Sequence, residues 1–164
     1  MEKIIAVRAR KEIIAIFNQY ATLSEKQDKS RPQAIVDFVT YVANLSDSEA
    51  GVQLKAAAVS KADVDGIGEI PQQIRIVINI DEAIWNAAIE RFKMVFDLGK
   101  VQMPFFIRVC GLAYINNIKQ QRNDSTLSGL SSAIAEIEAF KKMNIDDKLT
   151  NIYSLLIDML SSKN

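Results

Sequence analysis

Histidine is absent from this chain of 164 residues, and cysteine and tryptophan each occur once. Without histidine the chain lacks the commonest general base and metal ligand, so a hydrolytic triad or a zinc centre would need an unusual substitute. The single cysteine, Cys110, can form no internal disulfide, and its apolar neighbours predict a small core residue. No nucleophile-base pair is evident. We therefore expect no enzyme activity, no metal and no cofactor.

Long apolar runs are also absent. Uncharged stretches fall well short of the roughly 18 to 20 residues that a membrane-spanning helix needs. Charged residues, among them Glu2 and Arg8, interrupt the first segment, where a secretory signal would be apolar. These features predict an intracellular, cytoplasmic protein without a membrane partner, and a hydrophobic content of 49% is ample for a core.

The net charge is zero, with 20 basic and 20 acidic residues, which weakens an argument for nucleic-acid binding from composition alone. The sign of the charge nevertheless alternates along the chain. Residues 1–45 hold seven basic and five acidic side chains (net +2) and residues 73–122 hold seven and four (net +3), whereas residues 46–72 (two and five, net −3) and 123–164 (four and six, net −2) are acidic. We predict that these four segments are the structural divisions of the chain, although a mixed solvated surface would also account for the charges.

A strand that leads directly into a helix occurs in the first segment. Residues 3–9 alternate between two faces, as in a strand covered on one side. Helical spacing follows from about residue 10 to residue 24. Ser30 and Pro32 then predict the N-cap and first turn of a second helix.

The same pattern returns in the third segment. Residues 74–80 alternate, Asp81 and Glu82 predict a helix start, and Pro104 predicts the first turn of another helix. The two copies superimpose with a shift of 71 residues in the strand and 72 at the proline, with few identities. The pattern is therefore repeated, whereas the sequence is not.

The other two segments differ in kind. Residues 46–72 are acidic and rich in alanine, and we interpret them as a connector with a helix over about 49–62 and a loop over 63–72. Residues 123–164 predict two amphipathic helices, one starting near Ser125 and one following Asn144 or Asp146. These helices would either close the core or bury their apolar stripes against another molecule, which could be a second copy of the chain.

The junction from Val7 to Ile13 (VRARKEI) resembles the strand-to-helix junction of the ribbon-helix-helix family, to which the MetJ and Arc repressors belong. Arg10 stands where that family has proline. The segment Ser30 to Ile35 resembles the start of the family's second helix, and Ile78 to Ile84 resembles the junction in the second copy. The second copy departs at its cap, where Gln102 and Met103 replace the serine and its neighbour.

This resemblance implies a mainly α fold with one two-stranded antiparallel β-ribbon, pairing residues 3–9 with 74–80. It would be a tandem ribbon-helix-helix pseudo-dimer plus C-terminal helices, similar to some archaeal-virus transcription regulators. Members of the family insert the ribbon into the major groove of double-stranded DNA. We therefore expect a sequence-specific transcriptional regulator, such as a repressor.

The expected contacts follow from the alternation. With Ile5, Val7, Ile76, Ile78 and Ile80 facing the helices, the base-reading face is Ile4, Ala6, Arg8, Arg75, Val77 and Asn79. Arg8 on one strand against Arg75 and Asn79 on the other predicts an asymmetric site. Phosphates would be held at the helix starts by side chains or backbone amides of Arg10, Lys11, Ser30, Arg31, Lys100, Gln102 and Met103.

Two alternatives remain open. The strands could belong to an ordinary sheet whose arginines are merely solvent-exposed. The chain could also be a helical protein-interaction or assembly module, similar to an antitoxin, whose C-terminal helices bind another protein while the ribbon reads no DNA.

Overall fold

The computed structural model describes residues 1–23, 30–65, 67, 74–142 and 145–161. Its elements in chain order are β1 (Glu2–Ala9), α1 (Lys11–Leu23), α2 (Arg31–Asn44), α3 (Asp47–Val59), β2 (Ile74–Asp81), α4 (Glu82–Phe96), α5 (Met103–Lys142) and α6 (Ile145–Ser161). The fold is mainly helical with one two-stranded antiparallel sheet. This confirms the predicted class. None of the helices in the described ranges is both long and apolar enough to cross a membrane.

β1 and β2 form the ribbon, in which Glu2 lies opposite Asp81 and Arg8 lies opposite Arg75. Successive side chains point to opposite faces of a strand, so the alternating apolar positions share one face. Of the five predicted inward residues, Val7, Ile76, Ile78 and Ile80 are buried and Ile5 is half-buried. The predicted pairing of residues 3–9 with 74–80 is confirmed, and the ribbon has one further pair, Glu2 with Asp81.

The predicted helix starts are confirmed at two positions. Ser30 Oγ accepts a hydrogen bond from the Gln33 amide (3.4 Å) and caps α2. Asp81 accepts from the amides of Ala83 (2.8 Å) and Ile84 (3.4 Å) and caps α4. Both side chains satisfy amides that have no partner within their helix.

The connector contains a capped helix that packs into the core. Its helix α3 begins at a capping box, in which Ser46 Oγ accepts from the Glu49 amide and the Glu49 carboxylate accepts from the Ser46 amide (2.9 Å). Ala50, Leu54 and Ala57 are buried in the core. Residues 61–65 and 67 are neither helix nor strand, and the rest of the predicted loop lies outside the described residues.

Aromatic contacts connect the helices in the core. Tyr20 of α1 packs edge-on against Phe38 of α2 (5.3 Å between ring centroids), and Phe92 of α4 packs edge-on against Phe106 of α5 (5.1 Å). Phe38 also contacts Tyr114 of α5 (5.6 Å). Each strand is therefore followed by a packed pair of helices, and α2 contacts α5 between the pairs. Cys110 is fully buried, as predicted, and burial raises the pKa of its thiol.

The predicted helix start near Ser125 is wrong, because α5 continues through this position to Lys142. No proline follows Pro104 in this stretch. The hydroxyls of Ser125 and Thr126 donate to the carbonyls four residues earlier (2.9 Å each), so these capping side chains are satisfied inside the helix. By internal contacts the chain forms two compact units, Met1–Gln120 and Gln121–Asn164.

Gly111 gives a test of the packing of α5. A β-carbon here would lie 2.7 Å from Ile16 Cγ2 and 3.1 Å from Phe38 Cε2, so Gly111→Ala should force side chains apart in a close-packed core. We expect a loss of roughly 1–3 kcal/mol in the free energy of unfolding, measured by denaturant titration. Gly51→Ala in α3, where no atom lies within 4 Å, is the matched control and should gain about 0.5–1 kcal/mol. A Gly111→Ala variant as stable as wild type would contradict this packing.

Candidate nucleic-acid interface

The outer face of the ribbon carries four cross-strand pairs, each with one residue from β1 and one from β2. In order along the ribbon they are Arg8 with Arg75, Ala6 with Val77, Ile4 with Asn79, and Glu2 with Asp81. All eight side chains are exposed, and the six predicted base-reading residues are among them. The outer face therefore has a basic end, an apolar middle, where Ile4 is 75% and Val77 49% exposed, and an acidic end.

Arg8 and Arg75 form the most unusual of these pairs. Residues directly opposite in an antiparallel ribbon have β-carbons roughly 4.5–5.5 Å apart, and like charges there are destabilising. Within the described ranges neither guanidinium group has an ion-pair partner. A pair that costs stability and lacks an internal partner is expected at a functional position that binds an anion.

The acidic end of the outer face is engaged within the protein. Asn79 Nδ2 donates to Glu2 Oε2 (2.7 Å), and the N-terminal ammonium group lies 3.6 Å from Asp81 Oδ2. The predicted adenine-reading amide of Asn79 is thus held by a carboxylate. On this face the basic pair lies at one end of the ribbon and the acidic pair at the other. The expected difference in base reading between the two strands stays a prediction.

Two of the predicted phosphate-contacting residues lie close together. Arg10, between β1 and α1, and Gln102, immediately before α5, line one groove of about 310 Å³. Arg108 also lines this groove, but its Nε lies 2.8 Å from Glu12 Oε2, in an ion pair without hydrogen-bond alignment. Arg10 has no ion-pair partner among the residues described, so it is the basic side chain in the groove that is available to an anion.

The other predicted phosphate contacts lie at separate helix starts. Lys11 begins α1, Arg31 begins α2, and Lys100 precedes α5, all with exposed side chains. The hydroxyl of Ser30 is occupied as the α2 cap, and Met103 packs partly buried against the core. At Ser30 and Met103 the phosphate-binding group would therefore be the backbone amide of the first helical turn.

Two arginines that the sequence analysis missed have structural roles. Arg91 of α4 donates to the carbonyls of Val42 (3.4 Å) and Ala43, and its Nε lies 3.5 Å from Asp47. Arg91 lies within the apolar stripe of α4, and this position in the sequence could have indicated a structural role. These bonds hold the end of α2 and the start of α3.

Arg108 of α5 acts in the same way at the other end of α3. It donates to the carbonyls of Ala58 (3.4 Å), in the last turn of that helix, and of Ser60 (2.6 Å), its C-cap residue. With Arg91 it accounts for two of the seven basic residues counted in residues 73–122. The number of basic residues available to a ligand in the second copy is correspondingly smaller.

Comparison with protein-family models, curated proteins and solved structures found no match for this chain. The geometry of the described residues is therefore the basis for a functional assignment, and the resemblance to ribbon-helix-helix proteins stays a prediction.

The arginine pair has a consequence for stability. Arg75→Glu would place a carboxylate opposite Arg8 and replace repulsion with attraction, which should raise the free energy of unfolding by roughly 0.2–1 kcal/mol at low ionic strength. Added salt should reduce the gain by screening. Lys55→Glu, at an exposed position of α3, makes the same charge change and should stay within about 0.5 kcal/mol of wild type. An Arg75→Glu variant that is no more stable than wild type would contradict the inferred repulsion.

The cap at Asp81 predicts a pH dependence. Hydrogen bonds from the amides of Ala83 and then Ile84 hold the pKa of this carboxyl below its usual range. A lowered pKa in the folded state stabilises the protein above the unfolded pKa, and this stability is lost as pH falls through the folded value. Asp81→Asn keeps a capping oxygen but has no proton to gain. The melting temperature of wild type should therefore fall more steeply below about pH 4 than that of Asp81→Asn; parallel curves would disprove the linkage.

Proposed function

We propose that this protein is a sequence-specific, double-stranded DNA-binding transcriptional regulator of the ribbon-helix-helix type. The observation that carries the proposal is the exposed pair of arginines, Arg8 and Arg75, side by side at one end of an antiparallel ribbon. The major groove of DNA admits a two-stranded ribbon, and arginine binds guanine O6 and N7 through two hydrogen bonds. DNA would supply the negative potential that this pair lacks within the described residues.

The order of the elements supports two fused copies. β1-α1-α2 and β2-α4-α5 repeat the same succession, each half contributes one strand to the ribbon, and Phe38 and Tyr114 bring the second helices into contact. In this proposal α3 lies in the connection that makes the pseudo-dimer a single chain. Arg91 and Arg108 would hold that connection against the fold.

The register suggests how such a pseudo-dimer reads DNA. The 71-residue shift that superimposes the copies equates Ala6 with Val77, which are also paired in the ribbon. A pseudo-twofold axis through that pair would exchange Arg8 with Asn79 and Ile4 with Arg75. The basic half of the face would then read G·C pairs. The other half offers Ile4 to a thymine methyl group and Asn79 to adenine, once Asn79 is released from Glu2.

The test is selection of bound sequences from random duplexes, followed by affinity measurements at several salt concentrations. Wild type should enrich a non-palindromic site with G·C pairs in one half. Arg8→Ala or Arg75→Ala should lose roughly 1–3 kcal/mol of binding free energy and relax preference at one base pair. Lys55→Ala removes an exposed positive charge outside the ribbon and is the control, which should keep the wild-type preference. No enriched sequence, or unchanged preference in both arginine variants, would reject the proposal.

The second candidate is a protein-interaction or assembly module without DNA reading. The exposed apolar side chains of α5 and α6 favour it. Salt dependence separates the two functions, because phosphate contacts make the logarithm of affinity fall linearly with the logarithm of salt concentration, whereas an apolar protein contact has no such slope.

A further inference from the structure

The described residues of the unit Gln121–Asn164 form no buried core of their own. No side chain is buried within residues 121–142 and 146–161, and twelve large apolar side chains there are more than 40% exposed. In Met1–Gln120, by contrast, the apolar residues of every described helix and of the ribbon contribute to one buried cluster. The hydrophobic effect that stabilises the first unit is largely unused in the second.

The exposed apolar residues of α5 follow a heptad spacing. Leu127, Leu130, Ile134 and Ile137 are separated by three, four and three residues, and all are more than half exposed. The charged residues Glu136 and Glu138 lie outside this stripe. Such spacing is typical of the seam along which two helices pack in a coiled coil or bundle.

α6 carries a second stripe with the same spacing. Leu149, Ile152, Leu156 and Met159 are again separated by three, four and three residues. Leu155, Ile157 and Leu160 flank this stripe and add exposed apolar surface beside it. An amphipathic helix with an apolar face this wide normally buries that face against another element.

α5 covers only part of α6. Ile137 and Phe140 of α5 face Asn151 and Leu155 of α6 across an open groove of about 560 Å³, and the Lys148 ammonium group lies 5.7 Å from the centre of the Phe140 ring. Both seams stay exposed beside this contact. The helical hairpin therefore needs a further apolar partner.

The exposed area fits an interface between two chains. A fully exposed aliphatic side chain presents on the order of 100 Å² of apolar surface, so the twelve side chains together leave roughly 700–1,000 Å² open per chain. Stable interfaces bury roughly 800 Å² per partner, whereas monomers rarely expose an apolar patch above a few hundred Å².

We propose that a second copy of this chain covers these seams, and that α5 and α6 of the two chains form a four-helix bundle. An interface about a twofold axis uses the same surface on both subunits, so each surface must complement itself. The apolar stripes of α5 and α6 have the same heptad spacing, so the stripes of one chain can pack against those of an identical chain. The second chain would also enclose the sides of α6 that its own α5 leaves open.

Sedimentation velocity of the full chain tests the proposal. Wild type should sediment at twice the chain mass of 18.3 kDa. Ile134→Glu should weaken association roughly 100-fold or more, because dimerisation would bury an unpaired carboxylate in the seam. Ser132→Glu introduces the same charge on α5 outside the stripe and should leave the dimer intact. A single-chain mass for wild type at about 100 µM, a larger assembly, or an Ile134→Glu dimer as tight as wild type would each overturn the proposal.

Amide hydrogen exchange of wild type supplies a test that does not depend on the variant's folding. Dilution should increase exchange in α6, which loses its cover when the dimer dissociates, while α2, in the core of the first unit, should be unchanged. Protection of α6 that does not vary with protein concentration would contradict a second copy as the partner. Neither measurement uses DNA, so the two proposals fail independently.

Discussion

The pairing of β1 with β2 is the constraint on which the first unit depends. A two-stranded ribbon is marginal in water unless one face is covered. Here its strands lie about 70 residues apart in the sequence, and the described part of the intervening chain forms three helices. Closing that loop costs entropy that only burial can offset. The inward row through Val7 and Ile78 supplies this burial, and so holds the two halves of the unit together.

Because packing determines the inner face, the outer face is free to carry chemistry that does not help folding. The four arginines discussed above illustrate the difference. Arg91 and Arg108 meet carbonyl and carboxylate oxygens and hold α3 in position. Arg8 and Arg75 lie opposite each other in the ribbon and have no ion-pair partner within the described residues. Residue type and total charge do not separate these two uses, whereas the presence or absence of an internal partner does.

Local patterns predicted the features that local physics determines. The period of two gave both strands and their inward faces, and Ser30 and Asp81 gave two helix starts because capping involves neighbouring residues. The prediction at Ser125 was wrong because a serine hydroxyl can either cap a helix start or bond to a carbonyl four residues earlier within a helix, and the local sequence does not distinguish the two. The role of α3 and the placement of Arg8 opposite Arg75 depend on contacts distant in sequence. Alternation alone placed Arg8 and Arg75 on the same face, whereas the antiparallel pairing of residues 3–9 with 74–80, which the family resemblance implied, sets them opposite each other.

The two units use apolar residues differently, and this bears on how the proposed activities would combine. The first unit satisfies its own core, so its ribbon needs no second chain to form, unlike a ribbon shared between two single-copy chains. Dimerisation through α5 and α6 would therefore be available for another purpose, which is to join two complete ribbons. A face with one arginine pair offers few contacts, and linking two such faces raises affinity through effective concentration without any new contact to DNA. On this argument the zero net charge does not oppose DNA binding, because avidity and a few unpaired arginines would supply what a strongly basic surface supplies elsewhere.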